Sequence, residues 1–315
     1  MNLLKKVGFS LAIAVSATCV KAEQISVTHW GVLLYGAPYA VAMEKGYFKA
    51  AGADVDGIVT SKGGGTTVRN VIQGGLPYGE VSLGAAIAAA REGLDIVIVN
   101  SGAQNLADLV WVTLPDSEVK TLKDLQGKKL AYTSPKSVTD MVTTMVVDAQ
   151  GLKDVNRVAV GGIGAQMTAL QQKGVDAAFL GEPIYSKNKD KFRVLFFAKD
   201  YLPDPNMTQT VGITTSAFAK ANPQKLKAII EGRRQGVEFI YKNPKEAAAI
   251  VAKVYDMDPA VMQEAMENLV KAKYWSPGEI DIKGVNNMSQ GLKLMGVIQD
   301  TPEWGKLIDT QYLQK

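Results

Sequence analysis

The sequence predicts an α/β fold of two doubly wound lobes, and three observations carry that prediction. Short β-rich runs alternate with helical stretches, the pattern of helices packed on a mainly parallel sheet. The alternation occurs as two sets of similar layout, without a clear sequence repeat. About 290 residues remain once the first 22 are set aside, more than one hydrophobic core usually serves.

Residues 1–22 read as a secretory signal peptide. Lys5 and Lys6 give a positive start, Val7 to Val15 a short apolar stretch, and Val20 and Ala22 the small or β-branched side chains before a cleavage site at Glu23. The apolar stretch is too short to span a bilayer. In the first set, Ile25 to Thr28, Ala53 to Val59, Glu80 to Leu83 and Asp95 to Val99 read as strands. Pro38 to Phe48, Thr66 to Gln73 and Ala85 to Glu92 read as the helices between them. In the second set the strands are Leu130 to Tyr132, Val155 to Val160, Ala177 to Leu180 and Val194 to Phe197. Its helices run from Thr139 to before Gly151, and from Ala165 to Lys173.

Two apolar, β-branched segments, Leu109 to Leu114 and Thr208 to Thr214, flank the second set and read as crossover strands joining the lobes. Lobe 1 then combines residues 23–110 with 213–315, and lobe 2 spans 111–212. The last third reads as helical. Asn222-Pro223, Asn243-Pro244 and Asp258-Pro259 each place a capping side chain before a proline suited to the first helical position. Leu226, Ile229, Ile230, Val237 and Ile240 make one apolar face; Val261, Met262, Ala265, Met266 and Leu269 make another, with the methionines as core filler.

Composition narrows the chemistry. The one cysteine, Cys19, falls in the segment expected to be removed, so the mature chain would hold no thiol for a disulfide, metal site or nucleophile. A formal charge of +4 falls to about +1 when Lys5, Lys6 and Lys21 are removed, which points away from a nucleic-acid partner. His29 is the one histidine. No metal site and no Ser–His–Asp machinery is expected from so little material. Gly162-Ile163-Gly164-Ala165-Gln166-Met167 begins like a dinucleotide fingerprint, but Met167 stands where a third small residue should allow close helix–strand packing. No cofactor is expected.

What remains is a set of small and hydroxyl residues at strand-to-helix turns, where open α/β sheets place their ligands and helix N-termini favour anions. Trp30, Tyr35 and Tyr39 follow the first strand and could wall a pocket. Gly63 to Gly65 with Thr66 follows the second, and Gly84-Ala85 the third. In the second lobe Ser134, Ser137 and Thr139 offer hydroxyls, and Lys136 offers a point charge.

Four stretches give these turns a context: GAPYAVAMEKGYFKAAGADV (36–55), LKDLQGKKLAYTSPKSVTD (122–140), GGIGAQMTALQQKGVDAAFLGEP (161–183) and KANPQKLKAIIEG (220–232). In that order and spacing, from Gln24 to Asn268, the chain resembles the substrate-binding proteins of ABC importers for nitrate, sulfonates, taurine, thiamine-pyrimidine precursors and some aromatic acids. The resemblance implies a type II periplasmic binding-protein fold, no catalysis and a monomer that meets permease and ATPase subunits at the inner membrane. It implies ligand contacts from Trp30, Tyr35, Gly64, Thr66, Gly84, Ala85, Ser134, Ser137 and Thr139, with Gly162, Gln166 and Glu182 also lining the cleft.

Two positions depart from the pattern. Many relatives carry glycine where Lys136 stands, so that lysine either adds a ligand charge or turns outward. Gly75-Leu76-Pro77-Tyr78-Gly79-Glu80 replaces the usual lead into the third strand, which bears on where Gly84 sits. The expected solute is a small organic anion. One rival is a pyrimidine-synthesising enzyme of the same fold, disfavoured by the single cysteine and the signal peptide. Another is a sensor subunit that docks on a signalling partner.

Overall fold

The computed structural model describes residues 23–314, so the signal-peptide segment and Cys19 lie outside the described residues. The first half contains β1 (Glu23–Thr28), α1 (Ala37–Glu44), α2 (Tyr47–Ala51), β2 (Val55–Ser61), α3 (Gly64–Ile72), β3 (Gly79–Ser82), α4 (Leu83–Arg91) and β4 (Val97–Ser101). Then come β5 (Leu109–Thr113), β6 (Lys129–Tyr132), α5 (Val138–Ala149), β7 (Asn156–Ala159), α6 (Ile163–Gln171), β8 (Ala178–Gly181), α7 (Ile184–Asn188) and β9 (Arg193–Phe197). The chain closes with β10 (Thr210–Thr214), α8 (Ser216–Ala221), α9 (Pro223–Lys242), α10 (Pro244–Tyr255), α11 (Pro259–Lys271), α12 (Ile282–Leu294) and α13 (Trp304–Leu307).

The strands form two sheets on one plan. The first has the order β2-β1-β3-β10-β4. In it β1 runs parallel to β2 and β3, while β10 is antiparallel to β3 and β4. The second contains β8-β5-β9, with β5 antiparallel to both neighbours, and the parallel pair β6-β7. The Ala131 N–H donates to Ala177 O at 2.9 Å and joins β6 to the start of β8. The second order is therefore β7-β6-β8-β5-β9, which repeats the first strand for strand. In each sheet the antiparallel member is a strand arriving from the other set: β5 enters the second sheet and β10 returns to the first. These are the two segments expected as crossovers. The molecule is a two-lobed α/β protein.

Burial follows the apolar patterning. Leu226, Ile229, Ile230, Val237 and Ile240 of α9 are buried, as are Met262, Ala265, Met266 and Leu269 of α11; Val261 is half-buried. In the second lobe Trp111 of β5 stacks on Phe196 at 4.9 Å and donates its indole N–H to Ala131 O at 2.9 Å, so a large side chain is buried with its polar atom satisfied.

Three local expectations need correction. The helix expected over Pro38 to Phe48 is two helices, because Gly46 takes a left-handed φ of 69° and breaks it. Asn222 and Asn243 do not cap α9 and α10 with their side chains. Each also ends the preceding helix, and its ψ (49° and 58°) keeps the amide away from the next helix's first turn. Asn222 Nδ2 turns back to Phe218 O instead. Asp258, with ψ 126°, accepts from the Ala260 and Val261 N–H groups as expected.

Candidate functional site

The strand-to-helix turns of the two sheets face each other across a cavity of about 480 Å³ including its mouth. The first lobe contributes Thr28 and His29 from the end of β1, Leu33 and Tyr35 beyond it, Gly63 and Gly64 after β2, and Ser82 at the end of β3. The second contributes Thr133, Ser134, Ser137, Val138 and Thr139 after β6, and Phe179 on β8. Asp108-Leu109 and Gln209-Thr210, where β5 and β10 begin, complete the lining. The parallel strands end here and the antiparallel ones start here, so both kinds deliver residues to one edge.

Three helices point their N-termini at this cavity. Gly63 precedes α3, Ser82 precedes α4 and Ser137 precedes α5. Ser82 Oγ accepts from the Ala85 N–H at 3.3 Å, and Ser137 Oγ from the Asp140 N–H at 3.2 Å. Among the described residues, the N–H groups of Gly64, Gly65, Val138 and Thr139 have no partner. Among the described residues, no lysine or arginine lines the cavity. Positive potential there comes from oriented peptide dipoles.

The hydroxyls are positioned by one another. Thr139 Oγ1 accepts from the Thr133 N–H at 2.9 Å, and the Thr133, Ser137 and Thr139 hydroxyls lie within 3.0 Å of each other. Thr28 Oγ1 shares a hydrogen bond with Thr67 Oγ1 at 2.6 Å and donates to Glu80 O at 3.0 Å. Tyr35 is 6 % exposed and its hydroxyl has no partner among the described residues. Burial holds its phenol proton on by raising the pKa well above the usual value. Burial also lowers the pKa of His29, which favours a neutral imidazole.

Asp108 is the one carboxylate in the lining among the described residues, and it is 3 % exposed. Its oxygens accept from Gln209 Nε2 at 2.7 Å and the Tyr274 hydroxyl at 2.9 Å. Burial outweighs these bonds and raises its pKa to about 6. An unfolded aspartate titrates near 3.9. Between those values the folded protein holds a proton the unfolded chain has released, so stability falls as pH rises from about 4 to about 6. Asp108→Asn removes that slope. Relative to wild type, the ligand-free variant is expected to gain roughly 3 kcal/mol between pH 4 and pH 7.5 in urea unfolding. Parallel pH profiles would contradict the assignment.

The structure brings together Tyr35, Gly64, Ser134, Ser137 and Thr139 of the residues expected from sequence. It places the others elsewhere. Trp30 packs edge-on against Tyr255 at 5.3 Å and is not part of the lining. Tyr39 is fully buried and bonds Glu80 and Tyr78 in the core. Thr66 turns its hydroxyl to Arg69, at 3.0 Å. Ala85 packs under Gly64, where a Cβ would lie 2.5 Å from the alanine's own. Gly162 starts α6 away from the cavity, and Gln166, fully buried, ties α6 to Gly161 O and the Phe179 N–H. Glu182 is buried and accepts from Ser186; burial raises its pKa.

Gly84 and Lys136 meet each other rather than the cavity. A Cβ on Gly84 would lie 2.6 Å from Lys136 O and 3.0 Å from Met141 Sδ. Ser82 reaches the lining instead. The Lys136 ammonium lies 3.6 Å from Glu92 of α4 and is 41 % exposed. Lys136 also has a left-handed φ of 64°, a conformation that favours glycine and explains why glycine suits this position. Thr28, His29, Leu33, Ser82, Asp108, Leu109, Gln209 and Thr210 were missed by residue type. The available signal was direction: an antiparallel crossover strand begins at the edge where the parallel strands end.

A Brucella abortus protein called a binding protein is 26% identical over 271 residues, covering 83% of this chain and 81% of its own. The Escherichia coli periplasmic aliphatic sulphonate binding protein SsuA superposes with a TM-score of 0.73 at 17% identity, over 92% of each chain. The periplasmic nitrate-binding protein NrtA from Synechocystis superposes with a TM-score of 0.71 at 13% identity, over 93% of this chain and 87% of its own. The two superpositions are similarities of fold. The family model described as NMT1/THI5 like matches residues 34–247, more than half the chain, and the chain belongs to that family.

Proposed function

We propose that this protein is the exported receptor of an ABC importer, which captures a small organic anion between its lobes and delivers it to a membrane permease. The observation that carries the reading is the convergence of the α3, α4 and α5 N-termini on one hydroxyl-lined cavity. A solute there would touch both lobes, so binding would favour the closed arrangement. Strand pairing supports lobe boundaries slightly earlier than the sequence suggested. Leu109 already pairs with Gly181 in the second sheet, and Thr210 with Ser82 in the first. Lobe 1 is then 23–108 with 209–315, and lobe 2 is 109–208. No helix among the described residues is long and apolar enough to cross a membrane. The periplasmic fold neighbours SsuA and NrtA, together with the signal peptide expected from the sequence at residues 1–22, support a periplasmic location.

A thermal-shift screen of sulfonates, carboxylates and nitrate against uncharged isosteres tests the anion reading. A bound anion at a hundred times its Kd stabilises by about 2.7 kcal/mol and raises Tm by several degrees. Stabilisation by the uncharged isosteres alone would contradict it. Lys136→Gly removes an exposed charge and a left-handed side chain; its affinity is expected within about fivefold of wild type. A loss beyond fiftyfold, read by calorimetry, would return Lys136 to the site.

A further inference from the structure

We infer that the solute carries, besides its anionic group, an amine or comparable N–H donor received by Asp108; this rests on the anion reading above. The cavity's lining falls into two chemically distinct groups. In one, the Gly63–Gly64 turn approaches Ser134, and the free N–H groups of α3 and α5 adjoin a cluster of hydroxyls. In the other is Asp108, next in sequence to Leu109 of an apolar wall. Leu109 pairs with Gly181, and a Cβ on Gly181 would meet Leu33 at 2.7 Å and Phe179 at 3.0 Å.

Asp108 has capacity to spare. A carboxylate offers about four acceptor sites, and Gln209 and Tyr274 occupy one on each oxygen. No cation neutralises it: among the described residues, no lysine, arginine or histidine pairs with Asp108. A solute with negative charge alone would meet repulsion there. One with an ammonium or N–H group beside Asp108 would complete the carboxylate's hydrogen bonding in a dry site, where such bonds are strongest. The hydroxyl of Tyr35, a buried residue, has no partner among the described residues and adds a second acceptor or donor. Because Asp108 and Gln209 open the two crossover strands and bond each other, a donor held here also ties both crossovers together.

Calorimetry with matched pairs tests this. Terminal amino-sulfonates and amino-carboxylates of two to four carbons, and aminomethyl-benzoates, are each compared with the analogue bearing methyl in place of the ammonium. The aminated member is expected to bind at least tenfold tighter for the pair that fits best. Asp108→Asn is expected to shrink that preference below threefold, with affinity for the methyl analogue unchanged or improved. The wild-type ranking stands even if the variant folds poorly. Equal affinity within every pair, or a preference that survives in a folded Asp108→Asn protein, overturns the inference while leaving the anion reading in place. Failure of every anion to bind overturns both.

Discussion

Arg233→Met is expected to destabilise the protein by about 3–5 kcal/mol, because it leaves the Glu80 carboxylate buried without its cation. Arg233 and Glu80 are 1 % and 0 % exposed and pair at 3.1 Å, directly behind the cavity. The Tyr39 hydroxyl and Thr210 Oγ1 also donate to Glu80, and Arg233 Nη1 donates to Ser276 O. Thr210 in turn lines the cavity and accepts from the Ala103 N–H at 2.8 Å. A fall in Tm on the order of 10 °C follows for a chain of this size. Glu80→Leu with Arg233→Met removes both charges, and is expected to recover part of the loss, since two apolar side chains need no partner. Urea and thermal unfolding of the single and double variants measure this. A single variant within 1 kcal/mol of wild type would show that the ion pair is not the keystone of the first lobe.

Gly84→Val is expected to weaken solute binding at least a hundredfold while leaving the empty protein's stability within about 1 kcal/mol. The reason is geometric. The added Cβ would sit 2.6 Å from Lys136 O, a main-chain atom of the opposite lobe, and 3.0 Å from Met141 Sδ. No rotamer moves a Cβ, so the lobes must part. Parting lengthens the hydrogen bonds a bridging solute makes to α3 and α5, and such bonds weaken steeply beyond their normal range. A hundredfold corresponds to about 2.7 kcal/mol. In an open molecule the same side chain would face solvent, which is why folding stability is spared. Calorimetry and thermal melts separate the two effects. Affinity within threefold of wild type would show that α4 and the Lys136 turn do not need to touch.

The fold was legible because its signals are periodic and redundant. Strand and helix alternation, two crossover segments and buried apolar faces each survive an error of a residue or two. The site was less legible because a turn's outcome depends on single residues. Tyr35 and Tyr39 lie four apart, yet one faces the cavity and the other bonds Glu80 in the core. Lys136 reads as a ligand charge by type, but its backbone turns the ammonium to Glu92. Asp108 and Gln209 carry no motif. They are placed by sheet topology, which repeats the same order in both lobes and sends both crossovers to one edge. The Ser134–Thr139 turn was readable because hydroxyls that cap α5 are also those that line the cleft.

The most direct test is a crystal structure of the protein bound to whichever anion stabilises it most. The account predicts the anionic group within hydrogen-bonding distance of N–H groups at the starts of α3 and α5, with Asp108 beyond its other end. An anion bound outside the cavity between the two sheets, or one held by lysine or arginine side chains, would contradict it.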